Sequence, residues 1–229
     1  MEQQGTRRAN QAGFSLLELL IGMAITLVVM VIASTLVAGS FNIRARENQR
    51  SDALIDAQRA LNYMSRDIAN SGFALKNNGI VATESGLNSI RVRANLNAFM
   101  GQTTSGTTSD QDEDIMYRLV TDAGNSYIIR LDVNTSSQMT ILANRIDDVR
   151  IRYFGMKVTY TPDPNLNNCD ITAPSAAEVT QKSDAKYVVL VLCVNLPQRG
   201  TPGSAGFQAA SKVRLMSDVV MRNADLTTY

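Results

Sequence analysis

The chain has 229 residues, a formal net charge of +1 and 45% hydrophobic residues. That length suits one or at most two domains, and the near-neutral balance gives no bulk attraction toward nucleic acid. The sequence has no histidine, which removes Ser-His-Asp, Cys-His and His-ligated metal chemistry together.

Residues 1–13, MEQQGTRRANQAG, are polar, carry Arg7 and Arg8 and end at Gly13. Residues 14–39 follow as FSLLELLIGMAITLVVMVIASTLVAG. About 20 apolar residues suffice to cross a bilayer as a helix, so this segment is expected to span a membrane. Its one charge is Glu18, one helical turn in from Phe14. A cleaved secretory signal has an apolar stretch of only about 7–15 residues. An ordinary anchor avoids a carboxylate there, because an ionisable residue in a span is costly and marks a functional site. Arg44, Arg46 and Arg50 flank the far end, so a charge count alone sets no orientation.

Gly13-Phe14-Ser15-Leu16-Leu17-Glu18, after a short basic leader and before an apolar helix, resembles the processing motif of type IV prepilins and type II secretion pseudopilins. The resemblance implies that a prepilin peptidase cuts after Gly13 and that Phe14 becomes the N-terminus, methylated on its amine. It implies a single-pass protein of the bacterial inner membrane, with the leader cytoplasmic and the rest periplasmic. The apolar helices would then pack into the core of a filament at the cell surface. Glu18 could neutralise the new Phe14 amine, in its own subunit or a neighbour, and so set the axial register of docking, because an unpaired charge in low dielectric is penalised. The bland alternative is a tolerated glutamate near the membrane surface.

Residues 40–72 read as an amphipathic continuation of the helix. Leu54, Ala57, Leu61, Met64 and Ile68 recur at spacings of three and four, opposite Arg50, Asp56, Arg59, Arg66 and Asp67. Gly72 is placed to end the helix in a left-handed conformation. A coiled coil competes, but the stripe is short for heptads. ALNYMSRDIANSGF resembles the helix end of PilW-type minor pilins and the related J-type pseudopilins through Tyr63, Arg66, Asp67, Ile68, Gly72 and Phe73. Many major pilins carry a proline about six turns into the helix, where it can melt locally. This chain has Thr35 there and Gly39 just after, and glycine weakens a helix without breaking it.

From residue 73 onward the pattern changes to period two. Strands are expected over 89–92, 115–120, 127–133, 139–142, 149–154, 187–194 and 213–221, with a hairpin turn at 122–126. YVVLVLCV should be a central strand buried on both faces. One sheet packed on the helix stripe gives an α+β, pilin-like fold. KVRLMSDVVMRNA is similar to the end of PilW-like chains, at Val219, Arg222 and Asn223.

Weaker signals follow. GQTTSGTTSD, residues 101–110, reads as a surface loop without the lysine of a phosphate-binding loop. Asp110, Asp112 and Asp114 alternate like the start of a calcium loop, but Ile115 stands where glycine is required and Thr121 where glutamate is. A solvated acidic turn is expected instead. Asn134-Thr135-Ser136 matches a glycosylation sequon. Arg91, Arg93 and Arg152 are too few to make a nucleic-acid patch. Cys169 and Cys193 have no metal or redox spacing. In a reducing compartment they would be small hydrophobes. In the oxidising periplasm that the resemblance implies, a disulfide would tether the 161–175 connection to the sheet. The alternative is one buried and one exposed thiol.

No catalytic group, metal site or cofactor is expected. The resemblance implies a minor type IV pilin that primes assembly near the filament tip. Its partners would be other minor and major pilins through the N-terminal helix, the prepilin peptidase and a tip adhesin. The alternatives are a J-type pseudopilin of type II secretion and a pilus-borne module that binds a surface or DNA.

Overall fold

The computed structural model of the protein describes residues 14–98, 107–135, 139–165, 167–204 and 206–224. The leader with Gly13, most of the 101–110 loop and Ser136 of the sequon lie outside these residues.

One helix, α1 (Leu16–Asn70), runs for 55 residues, about 82 Å at 1.5 Å per residue. No proline interrupts it. It ends where Ser71 turns extended and Gly72 takes φ +76°, with the Phe73 N–H donating to the Asn70 carbonyl at 3.2 Å. Glycine is required there twice over. The φ is left-handed, and a Cβ would stand 2.6 Å from the Asn77 carbonyl oxygen.

Among the described residues nine antiparallel strands follow: β1 (Ser89–Arg93), β2 (Asp114–Asp122), β3 (Asn125–Asp132), β4 (Met139–Asn144), β5 (Ile146–Phe154), β6 (Thr161–Pro162), β7 (Ile171–Thr172), β8 (Tyr187–Leu196) and β9 (Ser211–Val220). The seven longer ones are those the alternation marks. They form two sheets instead of one, ordered β1-β2-β3-β4 and β5-β8-β9, with β6-β7 a small ribbon. The division falls at Arg145, whose φ of +62° breaks the run between β4 and β5. Between β2 and β3 a hairpin turn falls within the expected 122–126 segment, and it is tighter than that segment: only Ala123 and Gly124, both at positive φ, make it.

Both sheets pack on the second half of α1 through Ala53, Ala57, Ala60, Leu61, Met64 and Ile68. Leu54, expected in this stripe, is only half-buried, and the small Ala53 takes its place. Strand β8 is central and buried on both faces. Val188, Leu190, Leu192 and Val194 face the helix core, while Tyr187, Val189, Val191 and Cys193 face a second core with Phe154, Val158, Cys169 and Ile171.

The acidic turn is solvated at Asp110 and Asp112 but not at its end, where Glu113 and Asp114 are buried. Asp114 is buried and accepts from Arg91 Nε at 2.7 Å and Arg93 Nε at 2.7 Å, because β1 pairs with β2 and sets Arg93 opposite Asp114. Glu113 is buried too, accepting the backbone N–H groups of Leu96 and Asp110 at 2.8 and 3.1 Å. Asp112 pairs with Arg130 at 2.7 Å.

Candidate functional site

The start of α1 is built by Ser15 and Glu18. Ser15 is extended and caps the helix. Its Oγ accepts the Glu18 N–H at 3.1 Å, and the Glu18 carboxylate accepts the Ser15 N–H at 2.9 Å. This reciprocal pair satisfies two donors that a helix start otherwise leaves free. A carboxylate in the first turn also meets the positive end of the helix dipole. Glu18 is therefore held at a fixed place beside Phe14, which is 89% exposed.

Gly22 and Thr26 follow Glu18 at intervals of four and share its face. A Cβ at Gly22 would meet nothing within 4 Å. Thr26 turns its hydroxyl back onto the Gly22 carbonyl at 2.7 Å. With Phe14, Leu19, Met23 and Leu27 as walls, these small residues open a shallow groove of about 520 Å³. Further along, Ser34, Thr35 and Ser40 donate to Met30, Ile32 and Leu36 carbonyls at 2.7, 2.8 and 3.0 Å. Each hydroxyl in the span is thus satisfied by its own helix, as a hydrocarbon or helix-packed setting demands. The walls are apolar and unburied from residue 14 to residue 38. Such a column needs lipid or other helices around it.

The sequence reading did not identify Ser15 as the capping partner of Glu18. The signal was legible, since Ser15-Leu16-Leu17-Glu18 has the spacing of a capping box. Gly13 lies outside the described residues.

The helix end and the chain end meet. Asp67 accepts from the Tyr117 hydroxyl at 2.6 Å and from Arg130 Nε at 3.3 Å, and Arg66 adds 3.2 Å to the other oxygen while its guanidinium covers the Tyr63 ring. Burial, with the Asp67 carboxylate beside it, pushes the Tyr117 hydroxyl far above the usual tyrosine range, so it stays a donor. The Arg222 N–H donates to the Ala69 carbonyl at 3.1 Å, and the Asn223 amide to Asn70 and Ser71 carbonyls at 3.2 and 3.0 Å. These close carbonyls that the helix terminus leaves open. Ile68 and Val219 are buried in the same core. The two stretches that carry the finer resemblance therefore dock the helix end to the last strand.

The arginines weighed as a binding patch are occupied. Arg91 and Arg93 serve Asp114, and Arg152 holds Asp170 at 3.0 Å and Glu178 at 3.1 Å. Asn134 donates its amide to the Thr108 and Asp110 carbonyls at 2.8 and 2.6 Å. Cys169 and Cys193 are joined by a disulfide, with Cα atoms 5.8 Å apart. It fastens the segment before β7 to the centre of β8. Beside it, Arg214 gathers the Asp163, Asn165 and Asn168 carbonyls at 2.8, 3.0 and 2.6 Å. Among the described residues no group of three or more metal-ligating side chains occurs.

The family model described as the prokaryotic N-terminal methylation motif matches residues 8–40. Neither the curated proteins nor the solved structures contain a match to the chain. The motif, the long apolar helix that carries it and the antiparallel domain behind it support a type IV pilin-like or pseudopilin protein. The motif implies processing by a prepilin peptidase, assembly with other pilins, and anchoring in the inner membrane beforehand.

Proposed function

We propose that the chain is a minor type IV pilin, a structural subunit that primes or supports pilus assembly at or near the filament tip. In this reading residues 1–13 are the leader, 14–39 the membrane and filament-core helix, 40–72 its amphipathic continuation and 73–229 the periplasmic domain. Cleavage after Gly13 turns the Phe14 N–H into a cation, which is then methylated. The observation that carries the proposal is the capping box, which already holds the Glu18 carboxylate one turn from that position at the head of an exposed apolar column. A fixed carboxylate can neutralise the new amine, and the groove over Gly22 and Thr26 gives a neighbouring helix a place to approach closely. The docked helix end supports the PilW-type reading, because it gives Tyr63, Asp67, Gly72 and Asn223 structural work in joining helix to sheet.

Glu18→Ala should still be cut and membrane-bound but should enter filaments at a small fraction of the normal level. Normal incorporation would refute the role of Glu18. The same helix-end stretch also fits a J-type pseudopilin. Co-purification of the full chain with candidate minor pilins, against secretion pseudopilins, separates the two.

A further inference from the structure

The domain reaches down the helix further than the helix charges do. Arg46 is buried on α1, with no carboxylate among its acceptors in the described residues. It donates instead to the Pro197 and Gln208 carbonyls at 3.2 and 3.3 Å, to the Ala209 carbonyl and to Ser211 Oγ at 3.0 Å. Three of these acceptors belong to the connection between β8 and β9, and Ser211 opens β9. That connection is closed on itself by paired Arg199 and Gln208 backbone bonds, each 2.9 Å. Below this clasp, Gly206 (φ +79°) comes so near the helix that a Cβ would stand 2.8 Å from the Gly39 Cα and carbonyl oxygen. Gly39 is the first buried residue of α1.

The depth of that contact follows from the sequence. No charge occurs from residue 19 through residue 43, about 37 Å of helix. A hydrocarbon core is about 30 Å thick. Measured from Glu18, it is used up by about residue 38. Gly39 lies about 7.5 Å membrane-ward of Arg44, the first charge beyond the span. The Gly206 turn therefore sits level with the lipid headgroups.

The turn is made for that layer. Between Pro197 and Ser211 the only charge is Arg199, and Phe207 is the only large apolar residue. Both are half-buried. At the same level along its axis α1 exposes Phe41 (65%), Ile43 and the cation Arg44. Glu47 lies a turn above Arg44, Asp147 is paired with Lys212 at 3.0 Å, and the exposed Asp122 opens the β2–β3 turn, which lines a shallow cleft with Pro197, Gln198 and Arg199. We propose that the β8–β9 turn is a membrane-surface element. In it Phe207 enters the interfacial layer, and Arg199 and Arg44 bind phospholipid phosphates of the bilayer that α1 spans. This rests on reading residues 19–43 as a membrane span before assembly.

The chain has no tryptophan, so one introduced tryptophan is the sole indole emitter. Full-length Phe207→Trp is reconstituted in phosphatidylethanolamine–phosphatidylglycerol vesicles, with and without lipids brominated near the headgroup end. Thr201→Trp, at an exposed position in the same turn, guards against misfolding at residue 207. Met156→Trp, also exposed and beyond the far end of β5, is the distal reference. Both turn reporters should lose at least half their emission to brominated lipid, with Met156→Trp unchanged. Adding Arg199→Glu to Phe207→Trp should at least halve the quenching. Flotation with the vesicles but quenching no greater than at residue 156 would overturn the surface contact alone. Failure to float would overturn the membrane span as well.

Discussion

Removing the Arg46 guanidinium should open one loop and leave the rest of the domain closed. The side chain is 6% exposed and makes four hydrogen bonds into the β8–β9 turn. Hydrogen bonds to a charged group are worth about 1.5–3 kcal/mol each. Four that share one guanidinium do not add, and water replaces part of them once the side chain is gone. Arg46→Ala should therefore cost about 3–4 kcal/mol locally, which makes opening about 200- to 1000-fold more frequent. The remaining ties are the Arg199–Gln208 bonds and the Gly206–Gly39 contact. Amide exchange of the full chain in detergent micelles reads this directly. The Arg199 and Gln208 amides should accelerate by that factor, while Val189 and Val191, in the middle of β8, stay protected. Arg46→Lys, a point charge without the planar fork, should fall between. Acceleration below about threefold at both loop amides would refute the clasp. Equal acceleration in β8 would show that Arg46 supports the whole fold.

Three further outcomes follow from the same geometry. Reducing the disulfide, or Cys193→Ala with Cys169→Ala, should lower unfolding free energy by about 3.5 kcal/mol from loop closure alone, because the linked residues are 24 apart; denaturant titration of oxidised and reduced chains measures it. Tyr117→Phe leaves the buried ring and deletes only the 2.6 Å bond to Asp67, so it should cost about 1.5–3 kcal/mol. Asp67→Asn in the same background should add far less than it does alone. The third outcome concerns acid. Desolvation works to raise the Asp114 carboxyl, but hydrogen bonds from Arg91 and Arg93 overcome it and hold the group below the usual carboxylate range. Asp170 is held low against desolvation by Arg152 and the Ile171 N–H. A lowered folded value gives stability that is full above the ordinary carboxylate range and lost as pH falls through the folded value. Asp114→Asn should flatten the stability profile below about pH 4. An unchanged acid limb would contradict the ion pair.

The strands were legible because alternation is local. Residues 187–194 carry an unbroken apolar run, and only a strand between two others can bury both of its faces. The division into two sheets was not legible, since it depends on one non-glycine residue, Arg145, taking a left-handed φ. Three acidic residues in alternation looked solvated, because nothing near them in sequence neutralises them. Asp110 and Asp112 are exposed, but the arginines that pair with Asp112 (Arg130) and with the buried Asp114 (Arg91 and Arg93) arrive through strand pairing. Arg46 was misread for the same reason. As one of three arginines past the apolar run it looked like a flanking charge, and its acceptors are more than 150 residues further on. Ser15, by contrast, was within reach of a sequence reading. Its partner is three residues away, so the cap needs no tertiary contact.

The two-faced burial of β8 has a consequence before folding is complete. Its ten residues hold no charge and no proline, the composition that stacks into intermolecular cross-β structure when left open. Its neighbour β5 comes from before the β6–β7 ribbon and β9 from beyond the 197–210 connection, and β9 is the last described strand to emerge in N-to-C order. Until β9 arrives, β8 offers an open apolar edge to any other copy. The guards are small and lie outside the strand: Asp184 and Lys186 before it, Arg199 after it. Aggregation, more than loss of a binding site, is therefore the expected fate of variants that delay or weaken β9.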